Sequence, residues 1–197
     1  MTYLADFQYA RYCLLICLAL WAHPAWSDQW EPLPRKLTET TIAFGDTRFV
    51  MSVDARTSQD FPTVWMDIYR KRELLARYPG VLFEKIYPSP DNSYFLGLSN
   101  SGLPGVAVGL FDAQGALQLF AQHGIASFDY CKRTTSLVAR WYDEDDPQVT
   151  FTMNRAYNKA LETVTLRDCH GKTIDLFQAI AGAYNQTLQR SREDASR

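Results

Sequence analysis

Ser89–Asp112 reads SPDNSYFLGLSNSGLPGVAVGLFD: a turn, a strand, a Gly/Pro loop, a second strand and another turn. The same grammar recurs on both sides of it. Pro62-Thr63-Val64, Pro104-Gly105-Val106 and Pro147-Gln148-Val149 open three Pro-x-Val segments spaced 42 and 43 residues apart. After each proline the positions two, four and six residues on are apolar: Val64, Met66 and Ile68, then Val106, Val108 and Leu110, then Val149, Phe151 and Met153. A period of two puts each trio on one face of a strand. Proline is tolerated at a strand's first residue, where no ladder hydrogen bond is lost.

The strand before each proline repeats as well. Tyr94, Leu96 and Leu98 stand ten, eight and six residues before Pro104, and Leu137, Ala139 and Trp141 stand at the same offsets before Pro147. In the first copy Phe49, Met51 and Val53 lie three residues further back, so the loop ARTSQDF (55–61) is longer. Return strands are expected near Glu73–Tyr78, Ala116–Phe120 and Leu161–Leu166, with shorter fourth strands at Val81–Ile86, Ile125–Tyr130 and Thr173–Leu176. The expectation is an all-β protein of about three tandem antiparallel meander units, near 48–91, 92–136 and 137–176, in one domain spanning 28–188. Phe177, Ile180, Ala181, Tyr184 and Leu188 then fall at helical spacing and predict a short terminal helix packed on the sheet. QRSREDASR (189–197) reads as a disordered tail.

The unit length, with Ser89-Pro90-Asp91-Asn92 leading into an inner strand, resembles the blades of β-propellers, and the Ser-Pro-Asp turn is similar to that of TolB-like exported propellers. The resemblance covers residues 48–176. It implies a propeller-like scaffold, although Asn92 stands where those blades usually carry Gly. A closed ring takes at least about four blades. Three units therefore need a further blade from N-terminal strands, or an open or barrel-like sheet; an ordinary β-sandwich is the other solution.

Composition narrows function mainly by exclusion. A net charge of −2 over 197 residues gives no field to attract nucleic acid or an anionic membrane. At the N-terminus Arg11 precedes the apolar run CLLICLALWA (13–22), with Ala25 and Ser27 suited to cleavage before Asp28. Residues 1–27 therefore read as a secretory signal, its run too short for the roughly twenty residues of a membrane span. Ile16 before Cys17 argues against a lipoprotein. The expected location is periplasmic or secreted, with no membrane span after cleavage. DQWEPLPRKLTET (28–40) follows as an extended lead-in in which Trp30 packs on the body.

Removal of Cys13 and Cys17 leaves Cys131 and Cys169, and two cysteines in an oxidising compartment point to one disulfide. A uniform meander opposes it, because it puts Cys131 after a fourth strand and Cys169 at a turn on the opposite end of a unit.

No catalytic constellation stands out. Gly97-Leu98-Ser99-Asn100-Ser101 lacks the last glycine of a nucleophile elbow, and a strand follows it where a helix is wanted. Asp143-Glu144-Asp145-Asp146 is the densest acidic cluster but lacks the alternation and glycine of a calcium loop. Cys131, Cys169 and His170 form a thin zinc set with no second CxxC or HxxH pair. No cofactor is implied. If the units are equivalent, three loops emerge at one end, and their polar residues are the candidate binding set: Asp60, Ser99, Asn100, Ser101, Asp143, Glu144, Asp145 and Asp146.

The expected function is an exported, non-catalytic protein that binds another protein, such as a periplasmic inhibitor. In architecture it is similar to some immunity proteins of type VI secretion systems. Competing readings are a metal-dependent hydrolase using the acidic loop and a structural accessory of an envelope complex.

Overall fold

The computed structural model describes residues 34–58, 61–100, 105–123, 128, 130–135, 138–154 and 160–182. The proposed leader, Trp30, Asp60, Ser101, Tyr184, Leu188 and the tail lie outside them. Three antiparallel meanders follow one another along the chain. The first has the order β1 (Leu37–Phe44), β2 (Thr47–Asp54), β3 (Thr63–Arg70), β4 (Glu73–Pro79). The second runs β5 (Lys85–Pro88), β6 (Tyr94–Leu98), β7 (Val106–Asp112), β8 (Leu117–Gln122). A two-stranded ribbon of β9 (Lys132–Thr135) and β10 (Val138–Arg140) comes next. The third meander is β11 (Thr150–Asn154), β12 (Ala160–Arg167), β13 (Thr173–Asp175), followed by the short helix α1 at 176–182. The fold class read from the repeat therefore holds.

The second meander is the middle layer, because it is buried on both faces. One face meets β2 and β3: Phe95 and Phe111 pack with Phe49, Met51, Met66 and Ile68. Ring centroids lie 5.1 Å apart for Phe49 and Phe95 and 5.0 Å for Tyr78 and Phe111. The other face meets the C-terminal third: Leu96, Leu98, Val108 and Leu110 join Trp141, Tyr142, Val164, Leu166 and Leu176. Double burial explains the nearly unbroken apolar run of β7, since a strand covered on both sides has no solvent face to mark with polar residues.

Gly97 and Gly109 are cross-strand partners on the Phe95 face. They form a saddle on which Phe83 lies: a Cβ at Gly97 would sit 2.7 Å from Cε2 of Phe83, and one at Gly109 2.7 Å from its Cζ. Both positions are glycine because the ring occupies the space of any side chain.

The turns carry local chemistry. Ser89 Oγ donates to Asp91 Oδ1 (2.8 Å) and accepts from Tyr94 N–H (3.0 Å), while Ser93 donates to the same carboxylate oxygen. Those hydroxyl donors hold the Asp91 carboxyl down at about 2. Asn92 takes φ 54° here. Asparagine reaches that left-handed conformation more readily than other non-glycine residues.

Two expectations are corrected. The short strand placed last in the first unit opens the next sheet instead: Val81 and Phe83 are core residues of a connector, and Lys85–Pro88 pairs with β6. In the third unit Thr173–Asp175 does close its own sheet, and most of Ile125–Tyr130 lies outside the described residues. The segment 137–141 was expected to pair with the Val149 strand, but β10 pairs with β9. The chain then turns away, with Tyr142 bridging to Asp168 and Pro147 O accepting from Arg167 N–H.

That departure makes the disulfide possible. Cys131 N–H donates to Arg140 O, and Cys169 N–H donates to Trp141 O. Arg140, the last residue of β10, and Trp141 after it thus hold both cysteines, and the disulfide forms with Cα atoms 5.9 Å apart. The opposite-ends objection fails because the third unit is not a simple meander.

Candidate functional site

Two turns define one end of the first two sheets. Arg70 Nη2 donates to Ala113 O across the β3–β4 and β7–β8 turns, and Tyr78 Oη donates to Gly115 O at 2.5 Å. The β2–β3 and β6–β7 loops must leave at the other end. Asp143–Asp146 joins the β6–β7 loop there: Asn100 Nδ2 donates to Glu144 Oε1, and Lys85 Nζ donates to Glu144 O.

Ser99 and Asn100 are buried at this end. Ser99 O accepts from the Trp141 indole N–H at 2.9 Å and lies 3.1 Å from His123 Nε2. Asn100 Oδ1 accepts from Trp141 N–H at 3.4 Å. Their polar groups therefore tie the middle layer to the C-terminal third. Burial lowers the His123 pKa, with the Ser99 carbonyl opposing in part, so the ring sits neutral at pH 7. Tyr142, also fully buried, has its phenol pushed up by desolvation.

The acidic loop is largely answered from within the chain. Asp143 Oδ1 accepts from the Asp145 and Asp146 amides at 3.1 Å, and Arg167 Nη2 donates to both Asp143 (2.8 Å) and Asp146 (3.0 Å). Glu144 Oε2 accepts from Arg140. The backbone amide of Asp146, first among several donors, lowers the Asp143 pKa. These contacts form a knot that closes the loop on β12. Sequence spacing did not reveal Arg167, which stands 24 and 21 residues from Asp143 and Asp146, whereas Arg140 stands only four from Glu144.

A surface missed by the sequence reading lies on the outer face of β2–β4. Arg77 makes a two-point contact with buried Asp67, Nε–Oδ1 2.6 Å and Nη2–Oδ2 2.7 Å. The same guanidinium lies 5.5 Å from the Trp65 ring, and Arg48 lies 4.6 Å over Tyr69. Arg77 beside it lowers the Asp67 pKa, and the Arg77 side chain remains 54% exposed. Strand alternation puts Trp65, Asp67 and Tyr69 on this face once Met66 and Ile68 turn inward. On the opposite face of the same sheet, a groove of about 280 Å³ is lined by Thr38, Thr40, Met51, Val53, Leu82, Phe83 and Glu84. At the loop end Phe61 is 84% exposed.

The chain matches no protein-family model, no curated protein and no solved structure. Among the described residues, no helix is long and apolar enough to cross a membrane.

Proposed function

We propose that this is an exported, non-catalytic protein that binds another protein through the outer face of its first meander, in the manner of a periplasmic inhibitor. The observation that carries the reading is the ordered row of Trp65, Tyr69, Arg48 and Arg77. Tryptophan, tyrosine and arginine are the side chains most often dominant in protein interfaces, and the two aromatic ones bury large area at low conformational cost. Here the Asp67 contact and the two ring stacks fix the rotamers before any partner arrives, which lowers the ordering cost of association.

The Cys131–Cys169 disulfide fits an oxidising compartment and so supports export. The repeat spacing of 42 and 43 residues supports regarding the meanders as blade-like. The loop end is the second candidate surface, favoured by exposed Phe61 and by exposed Asp145 and Asp146.

A pull-down from envelope extract, together with binding to any enzyme encoded beside the gene, tests both. Trp65→Ala/Tyr69→Ala should abolish capture, while Asp145→Asn/Asp146→Asn should leave it intact. The opposite pattern moves the site to the loops. Capture of no partner, with the chain folded, overturns the binding reading.

A further inference from the structure

Cys131, Cys169 and His170 each offer one ligand atom, and the three atoms lie within 4.8 Å of one another. We propose that this trio is a redox-gated metal site: closed while the disulfide stands, and open to a thiophilic divalent cation of the zinc type once it is reduced. The inference is independent of the binding face proposed above.

The backbone holding the trio has ties besides the S–S bond. The Cys131 amide N–H donates to Arg140 O of β10 at 3.0 Å and that of Cys169 to Trp141 O, the residue after β10, at 3.4 Å. His170 is set by the turn that follows. Asp168 Oδ1 accepts from the His170 amide at 2.9 Å and the Lys172 amide at 2.8 Å, and Gly171 supplies φ 81°. Opening the disulfide therefore leaves two cysteines with Cα atoms still near 5.9 Å and an exposed imidazole beside them.

Tetrahedral zinc with Zn–S near 2.3 Å asks for sulfurs about 3.8 Å apart. Rotation about the Cα–Cβ bonds reaches that spacing without moving the strands. The exposed imidazole closes the third position by a side-chain swing, and solvent supplies the fourth.

The chemistry balances with a dithiol as reductant. Exchange breaks the Cys131–Cys169 bond, the two electrons reduce its sulfurs to thiols, and the dithiol leaves as a disulfide. The cation then takes both sulfurs as thiolates with release of two protons, and neutral His170 donates a nitrogen lone pair. Disulfide sulfurs carry no thiolate charge, so the oxidised chain has only His170 to offer. The bound metal would take over the covalent bond's role of fastening the β9–β10 ribbon to the β12–β13 turn.

The probe is Co²⁺ added anaerobically to the purified chain, oxidised or reduced by a non-thiol phosphine, with folding followed by circular dichroism. One equivalent with a sulfur-to-cobalt charge-transfer band is expected for the reduced chain and none for the oxidised chain. Zn²⁺ should displace it. His170→Ala should keep the fold and weaken binding by about tenfold or more, since even a group that only orients a ligand is worth that much. Reduced chain that binds no cobalt, oxidised chain that binds equally, or H170A with unchanged affinity each overturns the site. If reduction unfolds the chain, metal must restore the native spectrum; failure to do so also overturns it.

Discussion

The first two meanders and the C-terminal third are built on the same strand pattern and held together in different ways. Between β1–β4 and β5–β8 the joint is a set of rings: Phe44, Phe49, Phe95, Phe111 and Tyr78 with Phe83. Between β5–β8 and the C-terminal third, apolar packing is supplemented by the ties of Ser99 and Asn100 to Trp141 and of Asn100 and Lys85 to Glu144. The C-terminal third is itself closed by the Asp143–Arg167 pair and the disulfide. Paired strand length accounts for the contrast. β1–β2 and β2–β3 each pair over eight unbroken positions, whereas the ladders of the last third run over three to five. Where backbone ladders are short, side-chain ties and a covalent bond do the positioning.

The sharpest way to break that comparison is Phe95→Ala, in the ring joint. Loss of a fully buried ring should cost about 5 kcal/mol, toward the upper end for such truncations, and unfold the two first sheets together in a denaturant melt. Next comes Cys131→Ser/Cys169→Ser, which should cost about 4 kcal/mol from the loop released. Hydrogen exchange should accelerate in β9–β13 first, leaving β2–β3 protected. If exchange rises evenly through all three sheets, the two joints are not separate.

Gly97→Ala probes the ring joint more finely. The added methyl meets the Phe83 ring and should cost about 1–3 kcal/mol as overpacking. In a Phe83→Ala background the penalty should vanish, which a double-mutant cycle by urea unfolding would measure.

The smallest effect is pH dependence, and it belongs to the C-terminal joint, where buried His123 sits. Its folded pKa is depressed by burial, while the unfolded value is near 6.5. Stability is thus fully present above about 6.5 and falls below it, because the unfolded chain takes up a proton that the fold refuses. The slope should approach 1.4 kcal/mol per pH unit at most, or roughly that, until the folded pKa is reached. His123→Gln should flatten the profile between pH 7 and 5.5; an identical slope in the variant would show that another group is responsible.

Strand identity was legible in the sequence because inward residues alternate: Val64, Met66, Ile68 and their sister trios all fall in β strands or at their edges. Strand partnership was not. Val81–Ile86 carries the same apolar signal whether it closes one sheet or opens the next, and only the glycine saddle and the pairing of Lys85 with Leu98 decide it. The third unit misled for a related reason. Leu137–Trp141 keeps the offsets of its sisters, but Arg167 gathers Asp143 and Asp146 and redirects the chain, a contact 21 and 24 residues long.

At the candidate site, the clustering of two loops was readable from equivalent positions. The burial of Ser99 and Asn100 was not, since it depends on Trp141, which follows β10. The Trp65–Arg77 face escaped notice because alternation assigns those positions to solvent without saying that they stack.

Phe83 and its two glycines have a consequence for how this sequence can drift. The three positions lie on a connector and two different strands, yet sterically they constitute a single choice. A larger residue at 97 or 109 is barred while an aromatic ring occupies the saddle, and a smaller residue at 83 leaves a gap until 97 or 109 grows. Descendants of this chain should therefore exchange the three residues as a set, making 83, 97 and 109 a readable signature of this sheet pairing in distant sequences.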